Sequence, residues 1–151
     1  MKNLPFKLCT FLLTLLLGLG CSKENEISDY VEGYIVASFI CDKTDLENGQ
    51  ATGELTKRGF LIRLENHSDS MYTFNLQETL FDFPEEILNP NYNVINCGPI
   101  YFPNSQEYKI KFRYQDPKDS EKINFACGPC TLMEATFDWN AFKQIVIKEI
   151  E

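Results

Sequence analysis

The sequence predicts an all-β fold, a small barrel or a sandwich carrying one or two short helical inserts, on three observations. Apolar residues recur at period two over short runs, the spacing of a strand with one face buried. Clusters of Asn, Asp, Gly, Pro and Ser separate those runs at short intervals. Helical signals are few and brief, so the β segments must pack mainly on one another.

The first run, GYIVASFIC at 33–41, is β-branched and aromatic. DKTDLENGQATGE then reads as a long polar loop, without the alternating ligand spacing of a calcium-binding loop. GFLIRLE (59–65) sets Phe60, Ile62 and Leu64 against Leu61, Arg63 and Glu65. NHSDS makes a tight connection to MYTFNLQ (71–77), where Tyr72, Phe74 and Leu76 share a predicted face. FPEEIL offers a short helix, with Pro84 as first residue and Glu85 and Glu86 in its first turn. EYKIKFRYQ (107–115) alternates Tyr108, Ile110, Phe112 and Tyr114 inward with Lys109, Lys111 and Arg113 outward. DPKDSEK should close a hairpin to INFAC (123–127). DWNAFKQ allows a turn or two of helix capped by Asp138, and KQIVIKEI (143–150) ends the set. Five principal strands with a helical insert after the third suit an OB-like barrel.

The amino-terminal residues read differently. Lys2 and Lys7 precede an apolar run from Leu8 to Leu17, and small residues lead to Cys21. That is the pattern of a secretory signal over residues 1–20, too short for a membrane span. LGLGC resembles the lipobox of bacterial lipoproteins, with Gly18 where Leu is usual. The acidic CSKENEISDY that follows resembles the tether of surface-exported lipoproteins of the Bacteroidota. The resemblance implies that Cys21 carries the lipid and holds the protein on the outer membrane, facing the cell surface or the periplasm. Residues 21–30 would then be a flexible tether and 31–151 a single β domain. Losing the signal takes two lysines from a formal charge of −8 and leaves −10. Such acidity disfavours nucleic acid, which needs clustered Lys and Arg.

Four cysteines remain in the domain: Cys41, Cys97, Cys127 and Cys130. An even count in an exported chain points to two disulfides, with three connectivities open. The expected arrangement joins Cys97 to one member of the Cys-Gly-Pro-Cys pair and Cys41 to the other. Two other readings compete. Cys-Gly-Pro-Cys is the thioredoxin active-site tetrapeptide, which would imply thiol-disulfide exchange. Here Ala126 precedes it, only 21 residues follow it and no βαβ pattern surrounds it. Zinc on all four thiolates is the other, although structural zinc usually takes two close-spaced pairs.

Nothing else carries a strong chemical signal. His67, the sole histidine, sits in a polar turn, so nucleophilic chemistry would have to be built on it alone. Glu85 and Glu86 are adjacent on a short helix and do not face one another. No phosphate-cradling glycine pattern occurs, so neither cofactor nor metal is expected. Asp69-Ser70-Met71 resembles the O-glycosylation sequon of exported Bacteroidota proteins, making Ser70 a candidate modification site. Tyr92, Tyr101 and Trp139 lie at loops or strand ends and are candidate binding-surface aromatics for a glycan, peptide or protein partner. The functional expectation is a lipid-anchored, non-catalytic binding or structural component of the cell envelope.

Overall fold

The computed structural model describes residues 26–45, 47–66, 69–89, 98–128 and 137–151. Nine strands follow one another among them: β1 (Val31–Phe39), β2 (Asp42–Thr44), β3 (Ala51–Leu55), β4 (Gly59–Leu64), β5 (Ser70–Thr73), β6 (Ile100–Tyr101), β7 (Lys109–Gln115), β8 (Phe125–Ala126) and β9 (Lys143–Ile150). One short helix, α1 (Glu85–Leu88), follows β5.

Five strands close a barrel in the order β1, β4, β5, β9, β7 and back to β1. All neighbours are antiparallel except β5 and β9, which run parallel. Numbered by barrel strand alone, that order is 1-2-3-5-4, with the helical insert after the third. The small OB-like barrel expected from the strand sequence is therefore the fold.

The barrel interior follows from the period-two pattern. Ile35, Phe60, Ile62, Met71, Ile110, Phe112, Ile145 and Ile147 come from all five strands and form one buried cluster. Phe83 and Ile87, flanking and within α1, pack on the same cluster. The Phe83 ring stacks on Phe60 at 5.3 Å and on Phe102 at 5.0 Å. Pro84 occupies the cap position of α1, and the Arg58 guanidinium donates to the Ile87 and Leu88 carbonyls at its far end. Those carbonyls have no partner within so short a helix, and a cation suits that terminus.

β1 departs from strict alternation. Its pairing with β4 shifts between Ile35 and Ala37, a bulge that lets one strand serve two neighbours on one edge. Residues before the bulge pair with β7, and Ala37 and Ser38 pair with β6. β5 also ends early. Beyond Thr73 the Asn75 side chain takes over the pairing, donating to the Ile147 carbonyl at 2.8 Å and accepting from its N–H at 3.0 Å. Leu76 consequently joins the interior cluster, while Tyr72 and Phe74 face outward, so the three do not share a face.

Two connections differ from the sequence reading. The polar segment after β1 is a β2–β3 hairpin, not a loop. Every residue of β3 is exposed, so there was no hydrophobic alternation to reveal it. Its tip is set by Asp45, whose carboxylate accepts from the Glu47 N–H at 2.7 Å. Residues 116–122 do not close a hairpin either: β7 pairs with β1 and β9, and β8 pairs with β2. The β4–β5 connection is antiparallel as expected, and Trp139–Ala141 forms a single helical turn whose first N–H groups include Asn140, donating to Asp138.

Within the stretch read as a tether, Ser28 is held against β7. Its N–H donates to the Tyr114 carbonyl at 2.8 Å, and its hydroxyl accepts from the Tyr114 N–H at 3.0 Å. Outside the barrel, Lys109 bridges Glu32 (2.7 Å) and Glu65 (3.0 Å), and Tyr34 donates to Glu65 at 3.0 Å. The Lys109 ammonium, then the Tyr34 hydroxyl, hold the Glu65 carboxyl below its usual range. Glu54 and Glu121 are lowered too, by Lys43 and by the Lys118 N–H respectively. A carboxyl depressed on folding adds stability above its unfolded value and loses it as pH falls through the folded one. Thermal stability should therefore hold from neutrality to near the unfolded value of 4.5 and fall below it. Lys109→Met should flatten that acid limb in melts recorded across pH; an unchanged limb would remove this network from the account.

Candidate functional site: a cleft beside two stapled loops

The β1–β4 connection carries β2 and β3, and the β7–β9 connection carries β8. These loops meet, because β2 and β8 pair through Asp42 with Ala126 and Lys43 with Phe125. Cys41 and Cys127 are the next pair in that antiparallel register, and they are bonded. Their Cα atoms are 4.8 Å apart, the spacing of a pair that does not exchange backbone hydrogen bonds. The Cys41 backbone is engaged elsewhere: its carbonyl accepts from the Thr56 N–H at 2.8 Å and its N–H donates to the Thr56 hydroxyl at 3.1 Å. Cys41 is fully buried. The disulfide thus fastens one loop to the other across 86 residues of chain.

The stapled loops lie over a second apolar cluster, on the outside of β1, β4 and β5. Val36, Phe39, Leu61, Tyr72 and Phe74 supply its barrel side. Phe125, Phe137, Trp139 and Phe142 from the β7–β9 connection cover it. Phe39 is the hub. Its ring lies 4.3 Å from Trp139, 5.4 Å from Phe74, 5.6 Å from Phe125 and 5.9 Å from Tyr72, centre to centre. Gly59, opposite Phe39 in the β1–β4 ladder, leaves room for that ring, since a Cβ there would run into it. In OB barrels this outer face and these two loops commonly take oligonucleotides or oligosaccharides. Here the chain fills the face with its own rings.

A cleft of about 480 Å³ remains at the margin of this cluster. Tyr72, Phe125 and Trp139 form its aromatic wall, and Asp116, Lys122, Asn124, Asn140 and Lys143 its polar one. Lys143 pairs with Asp116 at 2.5 Å. The side chains of Lys122, Asn124 and Asn140 make no hydrogen bond or ion pair among the described residues. The Gln144 amide, oriented to satisfy both groups, donates to the Ile123 carbonyl at 3.3 Å and accepts from its N–H at 3.2 Å. That contact separates the cleft from a second one of about 420 Å³, which shares Ile123 and Gln144 as lining. Burial raises the Tyr72 phenol above its usual range. The Trp139 indole N–H is shielded from solvent and has no hydrogen-bond acceptor among the described residues. Such a donor costs roughly 1–3 kcal/mol while unpaired.

Cys41 and Cys127 are bonded; Cys97 and Cys130 lie outside the described residues, as do Cys21, His67 and Tyr92. A Cys41–Cys127 bond consumes two of the four thiols a zinc site would need. It also pairs the first Cys of Cys-Gly-Pro-Cys with a distant strand. Trp139 lines the cleft, whereas Tyr101 stands exposed on β6 and does not. Ser70 is the half-buried first residue of β5, paired with Arg63, and so sits in a strand instead of a turn. No sequence pattern marks Asn124, Asn140 or Lys122, because single polar residues in loops carry none until the fold gathers them. Among the described residues no helix is long and apolar enough to cross a membrane, and no cluster of three metal-ligating side chains occurs. The chain matches no family model, no curated protein and no solved structure.

Proposed function

We propose that this chain is a lipid-anchored protein of the bacterial outer membrane whose β barrel serves as a non-catalytic binding component of the cell envelope. The observation that carries the anchoring is the LGLGC ending of the apolar leader, followed by a polar, acidic stretch. Acylation of Cys21 would bury long methylene chains, each CH₂ contributing about 0.8 kcal/mol, so two or three chains hold firmly. The Cys41–Cys127 bond supports an oxidising compartment outside the cytoplasm. It also favours a structural role for the Cys-Gly-Pro-Cys segment over redox exchange. Exchange would use a bridge inside the pair, and Cys127 is committed to a fully buried partner. The cleft beside Trp139 supports the binding role, being of ordinary small-ligand size with a mixed aromatic and polar lining.

The expected result is palmitate label on the protein in an outer-membrane fraction, lost in Cys21→Ser. Label retained by that variant would end the lipoprotein reading.

A further inference from the structure

We infer that the cleft lined by Tyr72, Trp139, Lys122, Asn124 and Asn140 binds a short saccharide; the inference rests on the binding role proposed above and gives it a ligand class. The lining decides between chemistries. An apolar ligand would strip water from the Lys122, Asn124 and Asn140 side chains and return no hydrogen bonds. A polyanion would meet a chain of formal charge −8. A peptide added as a strand would need free backbone groups on the floor. There Tyr72 of β5 and Gln144 of β9 are already paired with each other, and β8 spans two residues. A sugar presents C–H faces and hydroxyls on one small body. The C–H faces suit the electron-rich faces of aromatic rings such as those of Tyr72, Phe125 and Trp139. The hydroxyls can both donate to and accept from Asn124 and Asn140, and can accept from Lys122.

A volume of about 480 Å³ accommodates a mono- or disaccharide. The site is also not the open outer face of the barrel, which Phe39 and its neighbours fill.

Trp139 is the only tryptophan, so its emission reports on this wall alone. The test uses the full-length chain in a sugar-free zwitterionic detergent, titrated with cellobiose, maltose, lactose and diacetylchitobiose. At least one should shift Trp139 emission saturably, with half-saturation below about 10 mM. Asn140→Ala and Lys122→Ala, both at exposed positions, should each weaken that response about tenfold with an unchanged melting temperature. No saturable response to any of the four, by emission and by saturation-transfer NMR, overturns the inference. So does a response that both variants leave intact. Palmitate labelling of the same preparation separates the two readings. A labelled chain indifferent to all four sugars sinks the saccharide site alone, and an unlabelled chain that binds one sinks the anchor alone.

Discussion

Cys41→Ala combined with Cys127→Ala is expected to lower stability by about 4–5 kcal/mol, the largest effect of any change that leaves the apolar core intact. The loop it closes spans 86 residues, and the entropy removed from the unfolded chain grows with the logarithm of loop length. The loss should be local before it is global. The bond sits one pair beyond a ladder of only two registered pairs, so β2 and β8 have little else holding them together. Denaturant titration of the double variant against the parent gives the magnitude. Hydrogen exchange gives the place, with protection vanishing first from β2, β3 and β8. A loss below about 1 kcal/mol would mean that the aromatic cluster alone holds the loops down. Non-reducing peptide mapping gives the direct check, since it should recover the Cys41 and Cys127 peptides joined.

Phe39→Ala should cost about 3–5 kcal/mol, the range for deleting a buried ring whose surroundings cannot collapse. Collapse is resisted because four rings converge on Phe39 from three different parts of the chain: β5 and the residue after it, β8, and the turn at Trp139. Gly59 sharpens the test. Gly59→Ala forces its new Cβ against the Phe39 ring and should destabilise by about 1–3 kcal/mol, the usual penalty of overpacking. In a Phe39→Leu background most of that penalty should disappear, giving a coupling that a double-mutant cycle reads directly. Additive costs would show that the two positions do not compete for one space. Trp139 emission should move to the red in Phe39→Ala, because the ring 4.3 Å away is replaced by space that water can enter.

The sequence carried the barrel because its five strands are apolar, β-rich segments bounded by turn residues, with period two plain in some of them. β7 is the clearest: Ile110 and Phe112 are buried, while Lys109, Lys111 and Arg113 hold ion pairs or face solvent. α1 was readable for the opposite reason, since Pro84 and two glutamates mark a helix start without reference to anything distant. The bulge at β1 was not readable. It inserts one residue into a ladder, and only the partner strand shows which residue is extra. β3 escaped because both its faces meet water. The expected hairpin between β7 and β8 does not form because the two residues of β8 carry no register of their own, and its partner β2 lies far away in the chain.

The cysteines divide along the same line. An even number of cysteines in the domain, read with the expectation of export, called for disulfides, and joining Cys41 to the Cys-Gly-Pro-Cys pair was among the expectations; that Cys127 is the partner is a matter of register, set by the pairing of Asp42 with Ala126. By itself the sequence determined the strand class, the helical insert and the acidic charge, because each is written in neighbouring residues. Only the tertiary structure decided that the outer face of β1, β4 and β5 is filled from within, and that a cleft survives beside Trp139. Apolar residues on both faces of those strands are visible one by one. What covers them depends on contacts between segments tens of residues apart, which no local pattern encodes.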